Sequence, residues 1–112
     1  MAKVEIIDSL AKEIQKKFKG ESHEIIKLLR SLEENPNKGK ILGSVSGFLV
    51  KELKYNGFRF YFIVEGDKLK FYSKEEIVDL LIRFVRMSNK KSQQKTINEI
   101  REILLKIGIE GF

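Results

Sequence analysis

The residues predict an α+β domain: two helices, a four-stranded antiparallel sheet and a closing helix. Three observations carry this reading. Apolar residues recur at helical spacing through the first third of the chain. Two alternating runs then flank Asn56-Gly57. A final helical stripe ends at Gly108.

The first helix is expected over residues 3–19, where Val4, Ile7, Ala11, Ile14 and Phe18 share a stripe and Gly20 follows. Ser22 is placed to cap a second helix, with Glu24 in its first turn. Ile25, Leu28, Leu29 and Leu32 form its apolar face, and Asn35-Pro36 ends it. The connection is short, so the two helices should form an antiparallel hairpin. The connector 37–47 contains three glycines and room for a short strand at Ile41–Leu42.

The stretch Gly47–Val64 organises the rest. Asn56-Gly57 suits a type I′ turn, which needs φ > 0 at both central positions. Such a turn sets Tyr55 opposite Phe58, Lys54 opposite Arg59, Leu53 opposite Phe60 and Glu52 opposite Tyr61. Alternation then assigns Leu49, Leu53, Tyr55, Phe58, Phe60, Phe62 and Val64 to a core wall. Glu52, Lys54, Arg59 and Tyr61 fall on the other face as a small polar cluster. Two cations directly opposed destabilise a sheet, so a fold that keeps Lys54 and Arg59 together is suited to an anionic ligand.

Gly66-Asp67 reads as a second turn and Lys68–Ser73 as a third strand. Ile77–Met87 is apolar on both sides except for Asp79, Arg83 and Arg86. That pattern predicts a central strand, with a helix as the competing assignment because the run is long. The last helix has its stripe at Ile97, Ile100, Leu104 and Ile107 and its cap at Ser88 or Ser92. Its opposite face shows Lys91, Lys95 and Arg101.

The chain has 112 residues, one Pro and no Cys, and its formal charge is +6. This composition suits one domain over 1–112. It offers no disulfide framework and no thiolate nucleophile. The lone His23 is too little for a histidine metal site or a catalytic triad, and reads as a surface residue. No apolar run approaches the ~20 residues of a membrane span. No signal-peptide core is visible, so the expected location is cytoplasmic. Charge is uneven: residues 1–36 are net zero, 37–82 net +2, and 83–112 net +4. A clustered surplus of this kind is the electrostatic footprint of a polyanion binder.

The cationic candidates are Lys51, Lys54, Arg59, Arg83, Arg86, Lys90, Lys91 and Lys95, with Tyr61 the aromatic among them. A metal-free site of Lys, Arg and Tyr suits RNA cleavage by attack of a 2′-hydroxyl on the neighbouring phosphate. Cations stabilise the charge gained on phosphate oxygens, a lysine can take the proton, and a tyrosine can stack a base. Glu52 reads as a cross-strand or diagonal ion-pair partner of Lys54 or Arg59.

Three stretches together resemble the RelE/HigB toxins of type II toxin–antitoxin systems. They are N-P-x-K-G-K-x-L at Asn35–Leu42, K-E-L-K-Y-N-G-F-R-F-Y-F at Lys51–Phe62, and S-N-K-K-S-Q-Q-K-T at Ser88–Thr96. The resemblance implies a RelE-like fold: two helices, a twisted antiparallel four-stranded sheet and a C-terminal helix. It implies a metal-independent mRNA interferase without a cofactor, acting on messenger RNA at the ribosome. A cognate antitoxin would silence it, and DNA would be met only through the antitoxin complex. Arg59 matches the family's phosphate-binding hairpin arginine and Lys54 the basic position of its E-L-[RK] motif. Arg83, Arg86, Lys90 and Lys91 lie where the family's last strand and the segment after it supply further cations. With the residue reading above, the expected catalytic set is Lys54, Arg59, Arg83 and Arg86, and the expected RNA contacts are Lys51, Tyr61, Lys90, Lys91 and Lys95. The chain also departs from the family. Glu52 stands where RelE has a catalytic Lys, the last-strand His of HigB-like members is replaced near Arg83, and the C-terminal Tyr of RelE has no counterpart before Phe112. Three rival readings stand beside it: a ParE-like gyrase inhibitor, an RNA- or ribosome-binding module without chemistry, and a plain solvated surface with no nucleic-acid role.

Overall fold

A computed structural model describes residues 2–109; Phe112 lies outside them. The chain folds as an α+β structure in three layers. A five-stranded sheet has the order β1-β5-β4-β3-β2. Helices α1 (Asp8–Phe18) and α2 (Ser22–Arg30) cover one face, and α3 (Lys74–Met87) and α4 (Lys90–Ile107) cover the other. The strands are β1 (Lys3–Ile6), β2 (Lys40–Val45), β3 (Phe48–Tyr55), β4 (Phe58–Glu65) and β5 (Lys68–Tyr72).

The hairpin forms in the expected register: Glu52 faces Tyr61, Leu53 faces Phe60, Lys54 faces Arg59, and Tyr55 faces Phe58. Asn56 and Gly57 both take positive φ, 46° and 85°, as a type I′ turn requires.

Three expectations are corrected. The first four residues of the expected N-terminal helix are a strand instead. β1 runs parallel to β5, with Val4 beside Leu69 and Ile6 beside Phe71. The sheet is therefore mixed and five-stranded, not antiparallel and four-stranded. A parallel pair needs a long crossover, and here everything from α1 to β4 supplies it.

The second correction concerns Ile77–Met87, which lies in a helix rather than a central strand. Ser73 accepts a hydrogen bond from the backbone N–H of Glu76 at 3.3 Å, the S-x-x-E arrangement of a helix start. Ile77 and Leu81 are fully buried, and Val78, Leu80, Phe84 and Val85 pack around them. Fourteen residues exceed an ordinary strand but suit a helix. Asn89 caps α4 by accepting from the N–H of Ser92, so neither serine serves as its N-cap. Gly108 closes α4 in the left-handed region, as expected.

The third correction follows from the second. The face of the hairpin that carries Glu52 and Tyr61 is not simply polar. Val50, Tyr61 and Ile63 are buried there against Ile77, Leu81, Ile100, Ile103 and Leu104. α4 approaches β2 so closely that a Cβ on Gly43 would lie 2.8 Å from Ile103 Cγ1. The β2 ladder skips between Ile41 and Gly43, and Lys106 Nζ donates to the Leu42 carbonyl at 2.8 Å in the irregular turn of strand.

Candidate nucleic-acid interface

The tip of the hairpin projects beyond both of its neighbours. The β5 ladder ends at Tyr72, opposite Tyr61, so Phe58–Phe60 have a strand partner only on the β3 side. Beside this open edge lies a cleft of about 380 Å³, within the range of small-ligand sites. Alternation along β4 divides its wall. Phe58 and Phe60 turn towards α1, whereas Arg59 and Tyr61 turn towards α3 and α4. Tyr72 and Lys74 complete the second side, and Glu13 and Lys17 of α1 the first.

Arg59 is held from below by Glu52. Its Nη1 lies 3.9 Å from Glu52 Oε2, the diagonal neighbour across the β3–β4 pair. The two ends of this pair differ sharply in environment: the Arg59 side chain is 44% exposed and that of Glu52 only 3%. Glu52 Oε2 is buried without a hydrogen-bond partner. A carboxylate in that position depends on Arg59 for compensation, and the half-exposed Arg59 side chain still reaches solvent. The ion pair expected at Glu52 is therefore formed with Arg59, but with a buried partner.

Tyr61 and Tyr72 stand side by side on adjacent strands. Burial pushes both phenols above their ordinary value. At Tyr61 the Glu52 charge adds to this and Arg59 opposes it. At Tyr72 the carboxylates of Glu5, Glu65 and Glu76 add to burial and Arg83 opposes them. Both groups therefore remain hydroxyls, able to donate, through and beyond neutral pH.

The remaining expected residues scatter. Lys54 is exposed opposite Arg59 and belongs with it. Lys51 does not: it pairs with Phe62 and faces the α1–α2 core, 6% exposed. Its Nζ donates to the Asn37 carbonyl at 3.3 Å and sits 5.7 Å from the Phe62 ring centre. Burial lowers its pKa. Alternation from Glu52 already implied this, since Lys51 and Glu52 must point to opposite faces. Arg83 and Arg86 lie exposed on α3 instead of a last strand, and only Arg83 acts on a cleft residue, through Tyr72. Lys90, Lys91 and Lys95 are exposed at the start of α4. Lys95 lies near the Ser46-Gly47 turn, roughly 20 Å from Arg59 by the rise of the intervening strand.

Tyr72, Lys74, Lys17 and Glu13 were not among the expected site residues. Tyr72 could have been found from the alternation of Lys68–Ser73, which sets it on the face of Lys68 and Lys70. The α1 residues carry no local signal, because only the tertiary fold brings α1 to the hairpin tip. Among the described residues no group of three or more His, Cys, Asp or Glu could hold a metal ion. No helix among them is long and apolar enough to cross a membrane. The chain matches no family model, and neither a characterised protein nor a solved structure matches it.

Proposed function

We propose that this protein is a cytoplasmic RNA-binding endoribonuclease of the mRNA-interferase kind, held silent by a cognate antitoxin. The observation that carries the reading is the Glu52–Arg59 pair beside Tyr61 and Tyr72. It fixes one guanidinium fork at the mouth of a cleft that also offers two phenolic donors and Lys74. A guanidinium matches the oxygens of a phosphate better than an ammonium does.

In the proposed reaction the 2′-oxygen of one nucleotide bonds to the adjacent phosphorus and the bond to the 5′-oxygen breaks. The products are a 2′,3′-cyclic phosphate and a 5′-hydroxyl. Arg59 bears the charge that grows on the phosphate oxygens. A phenol, from Tyr72 or Tyr61, supplies the proton taken up by the 5′-oxygen. The 2′-proton goes to a base on the hairpin: Lys54, reacting as the neutral amine, is the exposed candidate and the Glu52 carboxylate the buried one. The test is expression of wild-type and Arg59→Ala chains with primer-extension mapping of messenger cuts. Cuts present with wild type and lost with the variant support the reading; identical cutting by both removes it.

The burial of Glu52 favours a second reading, in which the site binds RNA or the ribosome without cutting it. A carboxylate 3% exposed serves to position Arg59 more readily than to meet a substrate. Ribosome association without messenger cuts would select this alternative. A gyrase inhibitor of the ParE-like kind would instead be revealed by loss of supercoiling in the presence of the protein.

A further inference from the structure

The α1 side of the cleft carries charged and aromatic groups of its own. Leu10, Glu13, Ile14 and Lys17 follow one another at helical spacing along the face of α1 that meets the cleft. Glu13 and Lys17 are four apart, the spacing of a helical ion pair, yet they form none within 4 Å among the described residues. Lys17 Nζ instead lies 4.5 Å from the centre of the Phe58 ring. Phe58 is held edge-on by Phe18, with ring centroids 4.7 Å apart. Glu13 is thus left as an unpaired carboxylate in a cleft whose other charged groups, Lys17, Arg59 and Lys74, are all cations. Glu13 is solvent-exposed, so its carboxylate oxygens are open to accept hydrogen bonds from a ligand in the cleft.

We propose that the cleft is a nucleotide subsite that reads the base. The base lies on the α1 side, against the exposed Phe58 ring, with its Watson–Crick edge at Glu13. The phosphate lies on the other side of the β4 edge, at Arg59 and Lys74. A carboxylate accepts hydrogen bonds and cannot donate them. Guanine offers it two adjacent N–H donors; adenine and cytosine offer an amino group; uracil offers one N–H flanked by two carbonyl oxygens that a carboxylate repels. The expected order of affinity is guanine first, adenine and cytosine next, uracil last. The cleft, about 380 Å³, has room for an unstacked base, and that base can turn its Watson–Crick edge to Glu13 only if the edge is not already paired, so the ligand is single-stranded. This inference rests on the RNA reading above for its phosphate end, and on Glu13 alone for its base end.

The test is titration of the full chain with the 3′-monophosphates of guanosine, adenosine, cytidine and uridine at low salt, followed by NMR or calorimetry. Guanosine should bind roughly tenfold or more tightly than uridine, the scale of a good two-donor contact. Glu13→Ala should flatten that order while inorganic phosphate competes as before; alanine is a stronger helix former than glutamate, so α1 should persist. Lys74→Ala should weaken all four nucleotides alike. Equal affinity for the four bases, no binding at millimolar concentration, or an order that survives Glu13→Ala overturns the proposal. Messenger cleavage measured in parallel separates the two readings. Cleavage without base ranking removes the subsite alone, whereas ranked binding by a chain that never cuts removes the nuclease and leaves the subsite.

Discussion

Neighbouring residues of β3 bury opposite charges on opposite faces of the sheet. Lys51 goes into the α1–α2 core and Glu52 into the α3–α4 core, 6% and 3% exposed. They are compensated differently. Lys51 has one backbone carbonyl, from Asn37, and the face of the Phe62 ring. Both partners are neutral and belong to the fold's interior or its connector. Glu52 has a guanidinium that emerges into a cleft. A charge balanced only by neutral groups tethers structure: here it ties the connector after α2 to the sheet. A charge balanced by a half-exposed cation prepares that cation for something else. The comparison explains why the cations expected from sequence are unequal as site residues.

The largest effect expected from this difference is on cleavage. Arg59→Ala should reduce messenger cutting by about 100–1,000-fold, the usual loss of a transition-state donor. Lys95→Ala, at the far end of the sheet, should change cutting only a few-fold. Single-turnover cleavage of the same messenger by both variants checks the contrast, and equal losses would erase the distinction between the two ends.

Stability should sharpen the comparison next. Sequence alone suggests that Arg59→Ala relieves repulsion with Lys54. The structure reverses the sign, because removal strands the buried Glu52 carboxylate. A cost of about 1–3 kcal/mol is expected, read as a shift of the urea midpoint at neutral pH. The double variant Arg59→Ala with Glu52→Gln should regain most of it and none of the activity. If the single variant is as stable as wild type, Glu52 is compensated by some other means.

Much of this was legible beforehand, and the reasons for the rest are physical. The hairpin register was readable because Asn56-Gly57 permits few alternatives, and a two-residue turn fixes every pair above it. Alternation alone also kept Lys51, expected as an RNA contact, off the face of the polar cluster, since its neighbour Glu52 was already on it. Ile77–Met87 misled because a helix buried on a broad face and a doubly buried strand share an apolar pattern. Its length, and Ser73 three residues before Glu76, were the signals that decide between them. β1 was hidden for a different reason. Val4 and Ile7 fit the helical stripe, and nothing local announces a parallel partner more than sixty residues away. The contribution of α1 to the cleft is hidden likewise, since Glu13 and Lys17 look like any solvated helix pair until the fold sets Phe58 beneath the lysine.

A smaller effect concerns salt. RNA affinity should fall with rising salt as counterions are released, and each phosphate contact removed should lower the slope by about one. Arg59→Ala should lower both the slope and the affinity for a short single strand. Lys90→Ala and Lys91→Ala should lower the slope for a long RNA that spans both ends of the sheet, and leave it unchanged for a trinucleotide. Equal dependence on Lys90 for both lengths would place the ligand along α4 and not at the hairpin.

The smallest effect belongs to Lys51 and is seen through pH. Burial lowers its pKa below 10.5, so between the folded and unfolded values the unfolded chain binds more protons. Stability must then rise with pH in that window. The cost of burying the ammonium is fully present below the folded pKa and is relieved as pH climbs towards 10.5. Lys51→Met keeps the aliphatic stem and removes the charge, a replacement that is often neutral or stabilising when a buried charge is poorly compensated. The variant should therefore be at least as stable as wild type at pH 7, and its advantage should shrink as the pH approaches 10. Raised phenol values at Tyr61 and Tyr72 act in the opposite direction above pH 10, but they are common to both chains and cancel in the difference. The measurement is the urea midpoint of each protein at half-unit steps from pH 7 to 10. A variant less stable than wild type by a constant amount would mean that the Asn37 tether outweighs the buried charge, and the contrast drawn between Lys51 and Glu52 would not hold.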